Sequence, residues 1–283
     1  MSIVNTKQLI DCELEGRVRQ YVWRKTPSQA STAGIWFDLS MSPGNPPAQY
    51  YVGTQFESTA LTRTARGGFQ HGANVTPSTK YLRSITAMTA TATALPMPLI
   101  LCDYLMFYPL IDTSDTTEQV LDNTITCPRS GGGQVMAILT NPGVGGQSFY
   151  FTYTNQDGVS GRTSRTVQMN ASTATGTIVT SSVNTAGQSG NPFIGLQDGD
   201  IEVQSIQSVQ MLGADVGLFS LVIVKPLLWT QIFEITAPYE KDALVGGGQI
   251  PRIYDDAFLG CLCLPRGTLA ATALVGDVKV IWD

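Results

Sequence analysis

Histidine and charged residues are scarce in this chain. Its 283 residues include a single histidine, His71, and only 14% of positions are charged. Imidazole is the side chain that most often transfers protons near neutral pH, and acid–base catalysis depends on groups that titrate in that range. We therefore expect a protein that is not an enzyme, with no catalytic residues, no cofactor and no small-molecule substrate.

Motifs for several other functions are also missing. No Gly-x-Ser-x-Gly turn is present to carry a nucleophilic serine, and no Gly-x-x-x-x-Gly-Lys run is present to hold phosphates. No uncharged apolar run reaches the roughly 18 residues that cross a bilayer. Residues 1–16 lack the basic and apolar regions of a secretory signal. These observations predict a protein that is made in a cytoplasm and has no membrane partner.

The five cysteines are expected to be unpaired and structural. They are odd in number, and four of them lie in or beside apolar stretches. Cys261 and Cys263 are two residues apart, so in a strand they would face the same side and act as small hydrophobic residues. Zinc sites need clustered ligands, whereas Cys12, Cys102 and Cys127 are scattered singly. We therefore expect no metal bound by thiols.

Short apolar runs separated by turn residues make up most of the chain. With 43% apolar residues the chain can bury a sizeable core. The spacing of apolar side chains predicts a short helix over residues 6–15. Predicted strands cover residues 18–23, 35–39, 99–110, 135–140, 148–154, 177–183, 201–209, 217–224, 227–235, 258–264 and 275–282. Frequent turns without alternating helices favour a mainly β fold, an antiparallel β-sandwich, for which a jelly roll is one arrangement.

The first 90 residues differ from the rest in composition and charge. Residues 42–47 contain three prolines, which remove backbone donors and fix φ, and residues 50–80 are largely polar. So much irregular chain predicts an extended N-terminal arm, residues 1–90, that lies on another surface, followed by a sandwich domain, residues 91–283. The arm carries a net charge of +4 and the domain −9. This charge is too dilute to indicate nucleic acid, but an acidic neighbour, such as an adjacent copy, would attract the arm.

Two groups of carboxylates are candidate sites. Asp198, Asp200 and Glu202 alternate, which would set three oxygen ligands on one side of a strand and could hold a cation such as calcium. The adjacent Asp255 and Asp256, or Asp198 with Asp200, could serve glycoside hydrolysis. Acids in glycine-containing turns are more often capping residues, and the first group lacks the twelve-residue calcium loop. A solvated turn is therefore the favoured interpretation of both groups.

Several segments resemble stretches of virion structural proteins of tailed bacteriophages. They are residues 35–40 (IWFDLS), 42–46 (SPGNP), 101–109 (LCDYLMFYP), 153–158 (YTNQDG) and 221–227 (LVIVKPL). The resemblance extends over most of the chain, although none of these segments is a defined functional motif. It implies a capsid decoration or cement protein that resides in the virion after assembly in the host cytoplasm, and it carries over no catalytic residues.

The partners that this resemblance implies are the major capsid protein and copies of the chain itself, joined in a homo-oligomer such as a trimer. On this hypothesis the arm supplies the contacts, and the candidate interface residues are Trp36, Phe37, Pro43, Pro46, Tyr50 and Tyr51. The alternative is that these side chains pack on their own sandwich. If the arm hypothesis holds, deleting residues 1–45 leaves the sandwich folded and abolishes attachment to particles.

Two other functions fit the same sequence. A phage tail or fibre adhesin would bind host glycans through aromatic side chains on the loops of its β domain. A major capsid protein of the jelly-roll type would form the shell itself and would be the most abundant protein of purified particles.

Overall fold

Antiparallel strands dominate the computed structural model, which describes residues 3, 5–172, 174–182 and 190–283. The elements are, in chain order, α1 (Thr6–Leu14), β1 (Val18–Lys25), β2 (Phe37–Asp38), a 3-10 turn (Leu39–Met41), β3 (Gly44–Asn45), β4 (Thr59–Ala60), β5 (Lys80–Thr89), β6 (Met97–Asp112), β7 (Glu118–Val120), β8 (Gln134–Asn141), β9 (Ser148–Asn155), β10 (Arg162–Thr163), β11 (Val167–Gln168), β12 (Val203–Met211), β13 (Leu218–Ile232), β14 (Tyr239–Asp242), α2 (Ala243–Gly247), β15 (Arg252–Ile253), β16 (Phe258–Cys263) and β17 (Leu274–Trp282).

The strands form three sheets. The central sheet has the order β2-β16-β6-β13-β8, with β4 also paired to β6. The first flanking sheet has the order β14-β5-β17-β1-β3, with β15 paired to β5, and the second has the order β10-β9-β12-β7, with β11 paired to β9. All pairs between named strands are antiparallel. The prediction of a mainly β, antiparallel sandwich is confirmed.

One face of the central sheet packs against both flanking sheets. Side chains alternate between the faces of a strand, so Leu99 and Leu101 point to this side, and a bulge between Tyr104 and Met106 changes the alternation so that Tyr108 does too. Leu101 enters a core that it shares with Trp23 and Val278 of the first flanking sheet. Further along β6, Tyr108 enters a core that it shares with Phe151 of the second flanking sheet. The two flanking sheets therefore cover successive lengths of the same long strand.

The opposite face of the central sheet is covered by irregular chain. Ile100 and Tyr104 of β6 and Val222 of β13 belong to a third core, in which they meet Trp36 and Tyr51 from the first 90 residues. Because β6 is buried on both faces, it reads as the almost continuous apolar run that its sequence shows.

A buried ion pair lies between the first two cores. Asp103 accepts a hydrogen bond from Nε of Arg129 at 2.8 Å. Arg129 also pairs with Asp256 at 3.1 Å, and its guanidinium lies 4.1 Å from the ring centre of Tyr254. Burial raises the pKa of Asp103 to about 6, and the positive charge of Arg129 opposes that rise. The pair joins β6 to the loops that precede β8 and β16.

The predicted elements are largely present, with three differences. The helix over residues 6–15 is α1; neither it nor α2, within the residues described, is long and apolar enough to span a membrane. Residues 217–224 and 227–235 contribute to one strand, β13, which continues through Lys225 and Pro226. Pairing with β8 stops at Val224, so Pro226 lies where β13 has a neighbouring strand on one side only, a position that tolerates proline.

The other two differences concern a predicted strand that is absent and strands that were not predicted, of which β5 is the longest. Residues 177–182 form isolated bridges only, at Thr177 and Ile178, so the strand predicted over residues 177–183 is wrong there, and residue 183 lies outside the described residues. β5 is a ten-residue strand in the segment that the composition assigned to an arm.

The first 90 residues supply strands to the first flanking sheet. β1 pairs with β17 along its whole length, and β5 pairs with the other side of β17. Leu9 and Cys12 of α1 pack against Ile281 of the same strand. Strands from both sides of residue 90 therefore share one sheet, and this segment is built into the folded body.

This arrangement changes the outcome expected for deletion of residues 1–45. The deletion removes β1 and with it Trp23, which stacks on Phe69 at a ring-centre distance of 4.9 Å. We expect the truncated chain to lose its cooperative thermal transition, because the first core and one side of β17 would be opened to water. Circular dichroism melting checks this, with Leu14→Ser, a change at an exposed side chain of α1, as the control. A truncated chain that melts like the full chain would contradict the integrated sheet.

Candidate interaction surface

A surface of exposed apolar side chains lies on the loop over the third core. We call it the Tyr50 surface and define it by the side chains of Pro43, Pro47, Tyr50, Val52 and Arg66. Tyr50 is 52% and Val52 is 75% exposed, and both prolines are exposed. The guanidinium of Arg66 lies 5.5 Å from the ring centre of Tyr50, where a cation is attracted to the face of the ring. This surface combines aromatic, aliphatic and cationic groups.

Tyr51 anchors the loop from below. Its side chain is fully buried and packs edge-on against Phe107, with the ring centres 5.2 Å apart. Its backbone adopts a φ of 49°, in the left-handed region that non-glycine residues rarely occupy. Such a conformation persists only where the surroundings hold it, and here the buried ring does so. The chain therefore turns sharply between exposed Tyr50 and exposed Val52.

A buried carboxylate organises the groups beneath the Tyr50 surface. Oδ2 of Asp38 accepts hydrogen bonds from the hydroxyls of Tyr51 at 2.5 Å and Ser40 at 2.6 Å, and Oδ1 accepts from the hydroxyl of Tyr104 at 2.7 Å and the amide of Ser40 at 2.9 Å. Burial raises the pKa of Asp38, while these hydrogen bonds lower it. Four donors aimed at two oxygens suit a carboxylate, which only accepts. The network fixes β2, the loop and β6 to one another.

A buried ammonium group holds the loop backbone. Nζ of Lys25 in β1 lies 3.2 Å from the carbonyl oxygen of Ser42 and 3.1 Å from that of Pro46, with two further carbonyls of the same loop at 3.5 Å. Burial lowers the pKa of Lys25 to about 8, and the charge of Asp38 opposes that shift. Gly44, at φ 147°, passes so close to the backbone of β1 that no side chain would fit there. The loop is therefore tied down at several backbone atoms.

The six predicted interface residues divide into two groups. Trp36, Phe37, Pro46 and Tyr51 are buried within their own chain, as the alternative interpretation had it. Pro43 and Tyr50 are exposed, and an interface there stays a prediction. Lys25, Asp38 and Arg66 were not predicted from the sequence. For Asp38 the available signal was a carboxylate inside the apolar run of residues 35–39, because buried charges need partners. Lys25 lies in a largely polar strand, which gave no such signal.

The candidate cation group does not form a site. Each carboxylate pairs with a different cation: Asp198 with Arg165 at 2.9 Å, Asp200 with Arg162 at 2.8 Å, and Glu202 with Lys225 at 3.0 Å. The hydrogen bonds from Arg162 and Tyr153 lower the pKa of Asp200 to about 2. No cluster of three metal-ligating side chains occurs among the residues that the structure describes. Asp255 and Asp256 likewise pair with Lys80 and Arg129.

His71 is buried and has a structural role. Its Nε2 lies 2.8 Å from the carbonyl oxygen of Ala257, which can only accept, so Nε2 carries the hydrogen. Nδ1 then accepts from the ammonium of Lys80 at 3.3 Å. Burial lowers the pKa of His71 to about 4, and the nearby positive charges of Lys80 and Arg63 contribute. The imidazole is therefore neutral near pH 7, with both nitrogens occupied.

The cysteines are free, as predicted. Cys261 and Cys263 both belong to the first core, on the same side of β16. Burial raises the pKa of both thiols, so they are poor nucleophiles.

Two adjacent tyrosines test the network beneath the Tyr50 surface. Tyr51→Phe removes one donor to Asp38, and we expect it to lower the free energy of unfolding by about 1 to 3 kcal/mol, because a buried carboxylate oxygen loses one of its two hydrogen-bond donors. Tyr50→Phe is the matched control and should change it by less than about 0.5 kcal/mol, because that side chain is exposed. Urea titration measures both. Equal effects of the two substitutions would show that the network does not stabilise the fold.

His71 makes stability depend on acid pH. Its pKa is lower in the fold than the ordinary value of 6.5, so the unfolded chain binds a proton first, and stability is lost as pH falls from about 6.5 to about 4. We expect His71→Gln to remove this dependence, which is on the order of 3 kcal/mol. Unfolding is measured at several pH values. Asp103 titrates in the same window but is present in both chains, so their difference isolates His71; parallel pH profiles would contradict the assignment.

Comparisons with known proteins give only distant likenesses. No protein-family model matches the chain, and no curated protein matches it significantly. A structure of infectious bursal disease virus, Gt strain, is 9% identical, with a TM-score of 0.20, over 94% of this chain and 80% of that one. A VP2 subviral particle of the same virus is also 9% identical, with a TM-score of 0.20, over 94% and 81%. At these TM-scores the likeness carries no argument about this chain.

Proposed function

We propose that this chain is a non-enzymatic structural protein of a virion, which binds a bacteriophage capsid through protein–protein contacts and stabilises it as a decoration or cement protein. The observation that carries the proposal is the Tyr50 surface, where exposed apolar side chains sit on a loop that buried polar groups hold in place. The resemblance of five segments to virion structural proteins of tailed bacteriophages supplies the biological setting.

The make-up of the Tyr50 surface suits contact with another protein. Tyrosine and arginine are enriched in protein interfaces and at the positions that contribute most to binding. Because Lys25 and Asp38 already fix the loop, little backbone freedom is left to be lost on association. A rigid, partly apolar surface therefore binds with a small entropic cost.

The surroundings of the buried ionisable groups support a non-enzymatic role. His71 is neutral and occupied at both nitrogens, Asp38 receives four hydrogen bonds, and the thiols of β16 are buried. Each of these groups serves packing or hydrogen bonding within the chain. The partners we propose are the major capsid protein and further copies of this chain, with assembly in the host cytoplasm.

The proposal is tested by comparing two kinds of particle purified from infected cells, those that contain this chain and those made in its absence. We expect shells to form without this chain. Compared with complete particles, these shells should lack a defined density in the reconstruction and should break at a lower temperature. Rebinding of purified chain should restore that density. The double variant Tyr50→Ala, Val52→Ser should rebind at least about tenfold more weakly, whereas Val159→Ser, also at an exposed valine, should rebind normally.

Three outcomes contradict this function. Absence of any shell when the chain is removed would make it the major capsid protein. Density at the tail with affinity for cell-surface glycans would make it an adhesin. Absence of the chain from purified particles would remove the virion assignment altogether.

A further inference from the structure

A second exposed apolar surface lies at one end of the second flanking sheet. We call it the Val144 tip and define it by the side chains of Val144, Leu212 and Val216, which are 68%, 57% and 56% exposed. Leu212 directly follows β12, and Val144 precedes β9, whose first residues pair with the end of β12. Three aliphatic side chains therefore project into solvent from two neighbouring loops.

Asp215 fixes these two loops to each other. Its carboxylate accepts hydrogen bonds from the amides of Val144 at 3.2 Å and Gly145 at 2.7 Å, and also from the amide of Val216 at 2.7 Å. The amide of Asp215 donates to the carbonyl oxygen of Thr113 at 2.8 Å, which brings in a third loop. The aliphatic side chains are therefore presented on a preformed backbone, as on the Tyr50 surface.

The Val144 tip is surrounded by negative charge that the chain itself does not neutralise. Asp112 pairs in register with Leu218, and Glu118 pairs with Gln210, so both lie at this end of the sheets together with Asp115. Within the described residues, none of these carboxylates forms an ion pair. The sequence contains no lysine or arginine between residues 84 and 128 or between 166 and 224. Asp198, Asp200 and Glu202, by contrast, each have a cation.

The Tyr50 surface has the complementary chemistry. It joins aromatic and aliphatic side chains to the cationic Arg66, and the sequence contains no carboxylate between residues 39 and 56. Complementary charges favour and orient encounters between such surfaces.

We propose that the Val144 tip of one copy binds the Tyr50 surface of a second copy of this chain. The contact places aliphatic side chains against Tyr50 and Val52, and places the carboxylates around the tip beside Arg66. This inference rests on the proposed function, because it identifies one of the proposed partners and the two surfaces that meet. Two different surfaces form a heterologous contact, which repeats from copy to copy and closes into a ring when the rotation allows.

Sedimentation of the full chain over a range of concentrations tests the contact. We expect self-association that weakens as salt is raised, since the pairing is partly between exposed charges. Glu118→Lys and Arg66→Glu should each weaken association at least about tenfold, and the double variant should recover most of the loss because the charges are exchanged. Leu212→Ser should also weaken it. Glu118 is exposed and has no ion pair, so its replacement leaves the fold intact, which thermal melting confirms.

Matched controls lie at the opposite end of β9. Asp157→Lys and Val159→Ser replace an exposed acid and an exposed valine there, and they should leave association unchanged. A chain that stays monomeric at all concentrations, or single variants that associate normally, would overturn the inference. If such a chain still binds particles, the proposed function stands and only the contact between copies fails. A chain that self-associates as expected but is absent from particles keeps the contact and loses the virion function.

Discussion

Every large core of this fold depends on the pairing between β6 and β13. The two strands pair from Met97 with Ile232 to Asp112 with Leu218, and their register shifts at three bulges along the way. Both faces of this ribbon are buried, one beneath the two flanking sheets and the other beneath irregular chain. Each flanking sheet buries its apolar side against a different length of this ribbon. Without the ribbon, neither sheet would have that surface to pack against. A change that broke the pairing would therefore open several cores at once.

Buried polar groups attach the irregular chain to this framework. A loop that covers a sheet must satisfy its own backbone groups, because burial without a partner is costly. Lys25 does this for the carbonyls of residues 40–47, and Asp38 gathers the hydroxyls of Tyr51 and Tyr104. Such networks fix one conformation rather than adding much net stability, since removal of the charges from water offsets much of the attraction. The exposed loop gains a defined shape from groups that never reach the surface.

The sequence predicted the fold class and most strands, because apolar runs and turn residues are local signals. It did not predict β5, because the polar side chains Arg83, Ser84 and Thr86 interrupt the apolar pattern of this strand. It predicted two strands where β13 is one, with the break at Lys225 and Pro226. Whether a strand continues through a proline depends on where the neighbouring strands end, which the sequence does not show. The interface candidates separated in the same way: Tyr50 and Tyr51 are identical in type, and only the turn at Tyr51 decides which one is exposed. These features follow from tertiary pairing, which composition does not encode.

Charged residues at structural positions differ from those around the Val144 tip in whether they have ion-pair partners. Only 14% of residues are charged, and those at structural positions have partners, as Asp103 has Arg129 and Asp200 has Arg162. Among the residues that the structure describes, the carboxylates around the Val144 tip form no ion pair, and their mutual repulsion slightly opposes folding. In the proposed contact between copies, these unpaired carboxylates and the aliphatic side chains beside them would be covered by an apolar and cationic surface. The Tyr50 surface has those two properties, and the same buried network that shapes it keeps them in one place.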